Sequence, residues 1–119
     1  QKEHFKKAFE GVDKTSIQMK DYDSHTKING DYSFGIKDGV HYLVELKTGE
    51  KVALEGVDKA FPLSIKNEDE NSTELALVVR KDQAWYMIDT KGETIYTFEQ
   101  TELTENSKLT LKDKELIVE

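Results

Sequence analysis

The chain has 119 residues, the size of one ordinary domain, and with 36% hydrophobic and 34% charged residues its core must be thin. Its net charge of -7 argues against nucleic acid and against an anionic membrane surface as partners. The absence of cysteine excludes disulfides, thiolate zinc sites and cysteine nucleophiles, and the longest apolar run, Leu75–Val79, is too short to span a bilayer.

The first element has two interpretations. Phe5, Ala8 and Phe9 share one helical face, which favours a short amphipathic N-terminal helix within residues 1–10. The internal repeat described below favours instead an incoming strand over Ala8–Glu10. Both interpretations stay open from the sequence.

The rest of the chain alternates apolar and polar residues in short runs separated by turn signals, which predicts antiparallel strands. Asp38-Gly39 between two such runs is the strongest hairpin signal, and Gly49 and Gly92 fit the left-handed position of longer hairpin loops. The predicted strands cover residues 16–20, 31–37, 40–46, 50–55, 61–66, 74–80, 84–89, 93–99, 108–112 and 115–118. Strands 40–46 and 84–89 are apolar on both faces, so we expect each to be central and covered on both sides.

An internal repeat organises these strands. Ala8–Lys14 recurs as Ala53–Lys59 with one change in seven positions, at an offset of 45 residues. The hairpin residues 37–45 align with 81–89, and a weaker third copy begins at Phe98. The sequence therefore predicts about two and a half copies of a unit of about 44 residues.

The segment Trp85–Ile95 resembles the bacterial WG repeat, and a four-stranded unit of this length resembles a β-propeller blade. Tyr86 stands where the WG family has its glycine, and His41 stands at the tryptophan position of the other copy. The resemblance implies a β-repeat array used for binding rather than catalysis. A closed propeller needs at least four blades, so the copies either form an open or sandwiched sheet, belong to a longer array or assemble between chains.

Of these, we expect an all-β fold, an antiparallel meander of about eight to ten strands that curls on itself as a single β-repeat domain over residues 1–119.

Two acidic loops are candidate binding sites. Each precedes the second strand of a copy, and neighbouring repeats project equivalent loops from one edge, so we expect the two loops to lie side by side as a negative rim. Solvated hairpin tips are the structural alternative. The candidate residues in these loops are Asp21, Asp23, His25, Glu68, Asp69 and Glu70.

Aromatic residues of the central strands are the other candidates. If one face of these strands were exposed, Tyr42, Trp85 and Tyr86 would be binding anchors, although most aromatic residues in so lean a chain belong to the core. By alignment with Trp85, His41 is expected to be a partly buried packing residue. The sequence predicts no catalytic residue, cofactor or metal site, since the loop beginning at Asp21 has Thr26 where a calcium loop needs glycine.

The leading functional hypothesis is a non-enzymatic protein-binding module with an acidic binding edge, of the immunity or inhibitor type, for a basic partner. The alternatives are a structural spacer from a longer extracellular repeat array and a carboxylate-dependent hydrolase. Because the chain starts at Gln1 rather than a methionine, we expect a processed chain or a fragment. The low proline content and the lack of cysteine favour an extracytoplasmic or cell-surface bacterial location. The sequence leaves the oligomeric state open.

Overall fold

The computed structural model describes residues 14–119, which form ten strands and one short helix. The elements are α1 (Lys14–Gln18), β1 (Ser24–Lys27), β2 (Tyr32–Lys37), β3 (Val40–Glu45), β4 (Lys51–Leu54), β5 (Val57–Asn67), β6 (Ser72–Lys81), β7 (Ala84–Ile88), β8 (Thr94–Thr97), β9 (Leu109–Lys112) and β10 (Glu115–Val118). The predicted all-β class is confirmed. The choice between helix and strand for residues 1–10 lies outside the described residues.

The strand predicted over residues 16–20 is wrong, because helix α1 occupies most of that segment. A strand would place Ile17 and Met19 on one face, yet Ile17 is 54% exposed and Met19 only 2% exposed. The sequence also misses β1, whose residues Ser24–Lys27 include no apolar side chain to mark a buried face.

The strands form two sheets. Sheet 1 is an antiparallel meander in the order β1-β2-β3-β4, and sheet 2 has the order β10-β9-β5-β6-β7-β8. All pairs are antiparallel except β5 with β9, which are parallel. This parallel pair is a departure from the predicted antiparallel meander, and it arises because β9 returns to the far side of β5.

Hairpin turns with left-handed residues set the register of both sheets. Asp38 and Gly39 have φ of 51° and 80°, and they join β2 to β3 as the sequence predicts. Asp82 and Gln83 adopt the same left-handed pair, with φ of 51° and 67°. The positive φ at a glutamine shows that hairpin pairing can impose this geometry without a glycine.

Sheet 1 is covered on both faces. On one side Phe34, Leu43 and Leu54 pack against Leu77 and Val79 of sheet 2. On the other side Met19, from the turn after α1, packs against residues of β3 and the turn that follows it, and Gly35 of β2 leaves room for this contact. The expected two-sided burial of the predicted strand over residues 40–46 is therefore confirmed.

Sheet 2 is also covered on both faces. The long connection of residues 98–108, here called the crossover segment, runs from β8 at one edge to β9 near the other edge. Its Phe98 and Leu103 are 4% and 3% exposed and pack with Trp85 and Phe61 on the outer face. Sheet 1 covers the inner face, so strand β7 is buried on both sides, as expected.

Within residues 14–119, no helix has the length and apolar character needed to cross a membrane.

Gly35 provides a test of the packing on sheet 1. A Cβ at this position would overlap Met19 Cε and lie 2.6 Å from Tyr22 Cδ2. We expect Gly35→Ala to lower the free energy of unfolding by about 1–3 kcal/mol, since the covering side chains must shift. Urea denaturation followed by Trp85 fluorescence measures this.

The matched control is Gly30→Ala, because a Cβ at Gly30 would meet no atom within 4 Å. Its effect is expected to stay within about 0.5 kcal/mol. Equal losses in the two variants would mean that Gly35 does not set the approach of the α1 segment.

Candidate functional site

The first predicted acidic loop uses one of its carboxylates to build the fold. Asp23 Oδ2 accepts a hydrogen bond of 2.9 Å from the backbone N–H of Asp38, in the turn between β2 and β3. His25 lies in β1 opposite Gly35 and is exposed, and Asp21 is also exposed. Asp23 is therefore a turn-capping residue, while Asp21 and His25 are free to contribute to a surface.

The second predicted loop does the same for the last hairpin. Asp69 Oδ1 and Oδ2 accept hydrogen bonds of 2.7 and 2.9 Å from the backbone N–H groups of Asp113 and Lys114. Glu68 lies 3.7 Å from Lys66 Nζ, and Glu70 is exposed. The carboxylate of Asp69 thus fastens the turn between β9 and β10 to the end of β5.

The fold does not place these two loops side by side. The first loop lies at the end of sheet 1 that carries Ile36, and Ile36 borders the start of β5 at Asp58. The second loop follows the other end of β5, whose 11 residues span roughly 35 Å at about 3.3 Å per residue. A single continuous negative rim is therefore not formed by these loops.

The three predicted aromatic anchors are separated. Trp85 is 0% exposed, and its indole Nε1 donates a hydrogen bond of 3.3 Å to the Thr101 carbonyl, so it belongs to the core and offers no surface to a partner. Tyr42 is half-buried on the outer face of sheet 1, where it meets Tyr22 edge-on with ring centroids 5.9 Å apart. Tyr86 is half-buried among the inner-face residues of sheet 2.

A different acidic site forms where the two sheets and the crossover segment meet. We call it the acidic depression. It has a volume of about 500 Å³ and is lined by Ile36, His41, Asp58, Lys59, Ala60, Phe61 and residues 102–106. Ile36 and His41 come from the ends of β2 and β3 nearest their turn, and Asp58 comes from the start of β5.

His41 is the buried polar residue of the acidic depression. It is 9% exposed, which confirms the expected packing role, and its Nδ1 has no hydrogen-bond partner within residues 14–119. Burial lowers the pKa of the imidazole, while the charge of Asp58 and a hydrogen bond with the Val57 backbone oppose this shift. Burial is the largest of the three effects, so the ring is held in its neutral form.

Asp58 sits at an irregularity of β5, where the pairing with β6 shifts between Val57 and Lys59. Its Oδ2 lies 3.8 Å from Arg80 Nη1, and the side chains of Asp58 and Arg80 are 57% and 26% exposed. The contact is longer than a hydrogen bond. The Asp58 carboxylate therefore keeps capacity to accept further hydrogen bonds.

The crossover segment supplies two more carboxylates, from Glu102 and Glu105, both exposed. Buried Leu103 lies between them in the sequence and anchors the segment to sheet 2. Neither residue was predicted from the sequence, because both lie in a connection between strands that do not pair with each other. Their spacing of three residues within this connection is the signal that the sequence offers.

A larger groove, of about 650 Å³, lies between β4 and the β7–β8 hairpin and includes Tyr86. Its charged residues are of both signs, namely Glu55, Lys81 and Asp82. The acidic depression is more selective in its chemistry, because it joins three carboxylates to a buried imidazole. The described residues include no group of three or more His, Cys, Asp or Glu side chains that would hold a metal ion.

Comparisons with protein-family models, with characterised proteins and with solved structures found no match to this chain.

Asp69 is expected to stabilise the fold rather than bind a partner. Asp69→Ala removes two hydrogen bonds to the last hairpin and should lower the free energy of unfolding by about 1–2 kcal/mol. Glu70→Ala is the control, because its exposed side chain is removed while its backbone hydrogen bond to Asn67 is kept. Amide exchange at Asp113 and Lys114 should accelerate only in the Asp69 variant, and unchanged exchange there would contradict the capping role.

His41 makes stability depend on pH. Its folded pKa is below the ordinary histidine value of 6.5, so on acidification the unfolded chain takes up a proton before the folded chain does. The contribution of His41 is therefore fully present above about pH 6.5 and is lost as the pH falls toward the lowered folded pKa. In His41→Gln, the decline in unfolding free energy between pH 7.5 and 5.5 should be shallower than in the wild type.

His25→Gln controls for the loss of a histidine as such. Chemical denaturation at a series of pH values gives the slopes, and a wild-type slope in His41→Gln would show that the buried imidazole has no part in this dependence.

Proposed function

We propose that this protein is a non-enzymatic binding module that recognises a basic protein partner through the acidic depression. The observation that carries the proposal is that Asp58, Glu102 and Glu105 line the acidic depression together with His41, whose buried Nδ1 has no hydrogen-bond partner among the described residues. Such a set of groups attracts cations and hydrogen-bond donors. The nearby apolar residues Ile36 and Phe61 suit the aliphatic part of a long basic side chain.

The charge of the whole chain supports this choice of partner. The described residues contain 21 acidic and 14 basic side chains, which accounts for the full net charge of -7. A negative surface speeds the approach of a positive partner and weakens binding to acidic ones. An immunity or inhibitor protein directed against a basic toxin or enzyme is the specific form of this function that we propose.

The residues predicted from the sequence have different roles in this proposed function. Asp21, His25, Glu68 and Glu70 are exposed and contribute to the negative field around the molecule. Asp23 and Asp69 serve the fold. Tyr42 lies 4.9 Å below Lys51 Nζ, so its ring face is occupied within the chain, whereas Tyr86 borders the groove beside β4.

The internal duplication and the likeness to WG repeats form part of the same proposal. Two geometric similarities support the duplication: the left-handed pairs at Asp38-Gly39 and Asp82-Gln83, and the left-handed glycines Gly49 and Gly92 with φ of 78° and 84°. A duplicated β unit suits binding, because function is then located in the loops and junctions between the copies.

Charge neutralisation tests the proposed site. The variant Glu102→Gln/Glu105→Gln removes two exposed carboxylates of the acidic depression and should weaken binding of a fluorescent decapeptide of alternating arginine and glycine about 5-fold, from roughly 0.5 kcal/mol for each exposed ion pair. Fluorescence anisotropy at 50 mM salt measures the affinity.

The matched control is Glu50→Gln/Glu93→Gln, which changes the net charge equally at exposed positions outside the acidic depression. Its affinity for the peptide should stay within about 2-fold of the wild type, because remote exposed charges are screened. Equal weakening in both double variants would show that only the net charge matters and would contradict the proposed site.

A further inference from the structure

Most of the charged side chains that line the acidic depression are carboxylates, which act as hydrogen-bond acceptors. Carboxylates accept only, and Asp58, Glu102 and Glu105 all line the site. Lys59 is the one cationic residue among those lining the site, and it is exposed. A ligand for this site must therefore bring donors, and a positive charge.

His41 adds an acceptor of another kind. A neutral imidazole carries one N–H donor and one lone pair. The hydrogen bond with the Val57 backbone raises the tendency of the ring to hold a proton, as a bond to a carbonyl does, while Nδ1 has no partner. With the hydrogen assigned to the nitrogen that faces the Val57 backbone, Nδ1 has the lone pair.

An unpartnered acceptor on a side chain that is only 9% exposed costs stability unless a ligand satisfies it. Because Nδ1 itself is closed off from solvent, a ligand reaches it only if neighbouring side chains move, and the donor must also lose its water at modest cost. The guanidinium group is more weakly hydrated than an ammonium group and has five N–H donors in a plane, so it can bond an imidazole and a carboxylate together.

We propose that the acidic depression is a receptor for one arginine side chain of the basic partner, with the guanidinium donating to His41 Nδ1 and to the carboxylates around it. This inference rests on the proposed function and adds the chemical identity of the group that is recognised. His41 gives the selectivity for arginine over lysine, whereas the carboxylates attract either cation.

The same geometry makes arginine binding depend on pH. A second proton on His41 would remove the lone pair at Nδ1 and place a positive charge beside the guanidinium. The charged groups around the ring are Asp58 and Lys59 of β5, Glu102 and Glu105 of the crossover segment, and Glu55 after β4, with Arg80 of β6 paired to Asp58. Burial lowers the pKa of the His41 imidazole, so the loss of its lone pair is expected as the pH falls through this lowered pKa.

The experiment uses three small probes: arginine, lysine and citrulline, each blocked at its amino and carboxyl ends. Citrulline keeps the shape of arginine without its charge. Each probe is titrated into isotope-labelled full-length protein at pH 7.5, and the NMR signals of the His41 ring and of the amides of residues 102–106 are followed. We expect blocked arginine to shift these signals, blocked lysine to bind at least 3-fold more weakly, and citrulline to leave them unchanged.

Variants then separate the imidazole from the carboxylates. His41→Phe keeps an aromatic ring, although a larger one, without the acceptor and should weaken binding of blocked arginine about 10-fold, with lysine much less affected. His41→Gln retains an acceptor and should restore part of the loss. If either variant fails to fold, the wild type itself answers the question, because its affinity for blocked arginine should fall more than its affinity for blocked lysine as the pH is lowered through the pKa at which the NMR signals of the His41 ring titrate.

Two outcomes would overturn the inference. If arginine and lysine bind equally, and both depend on Glu102 and Glu105 but not on His41, the site recognises positive charge alone; the proposed basic partner then stands without the arginine receptor. If the probes shift signals outside the acidic depression, or none at all, the receptor is wrong, and the decapeptide measurement with its double variants decides separately whether the proposed function also fails.

Discussion

Sheet 2 has apolar side chains on both of its faces, and the rest of the chain is arranged to remove both faces from water. Val78, Trp85 and Met87 point to one side, and Leu77, Val79 and Ile88 to the other. Burying a large apolar side chain is worth about 1.5–3 kcal/mol, so neither face can be left open in a chain with so few apolar residues. Sheet 1 covers one side, and the crossover segment covers the other.

The acidic depression follows from this arrangement. Sheet 1 and the crossover segment meet at the first residues of β5, and a gap remains between them. His41 comes from sheet 1, Glu102 and Glu105 come from the crossover segment, and Asp58 lies in β5 between them. Polar groups collect at this gap because the layers touch there without filling the space.

Local signals made most of the strands predictable. The Asp38-Gly39 pair predicts a tight hairpin from its own two residues. The alternation in β2 and the apolar residues on both faces of β3 predict where these strands lie and that they are buried. The parallel pairing of β5 with β9 joins residues 44 apart, such as Ile65 with Leu109, and no local pattern encodes it. Helix α1 and the polar strand β1 were not predicted, because the α1 segment is held by the packing of Met19 on sheet 1 and β1 is held by its pairing with β2.

The candidate site was harder to predict than the fold. Asp23 and Asp69 have the composition of binding loops, but each carboxylate accepts backbone N–H groups of a turn that is distant in sequence. Sequence spacing does not reveal such a bond, so a capping carboxylate and a free one look the same. Conversely, His41 was correctly expected to pack, yet its unpartnered nitrogen depends on the position of β5, which only the tertiary structure supplies.

The β9–β10 hairpin covers part of the open edge of β5, which is the longest of the described strands. Strand β5 has 11 residues, and β9 pairs along it at Ile65, Lys66 and Asn67, with β10 outside. Without this hairpin, that part of β5 would present open backbone donors and acceptors, which template pairing with other chains. The β9–β10 hairpin therefore replaces part of a long edge by the four-residue edge of β10, which favours self-association less, and the carboxylate of Asp69 holds this hairpin in place.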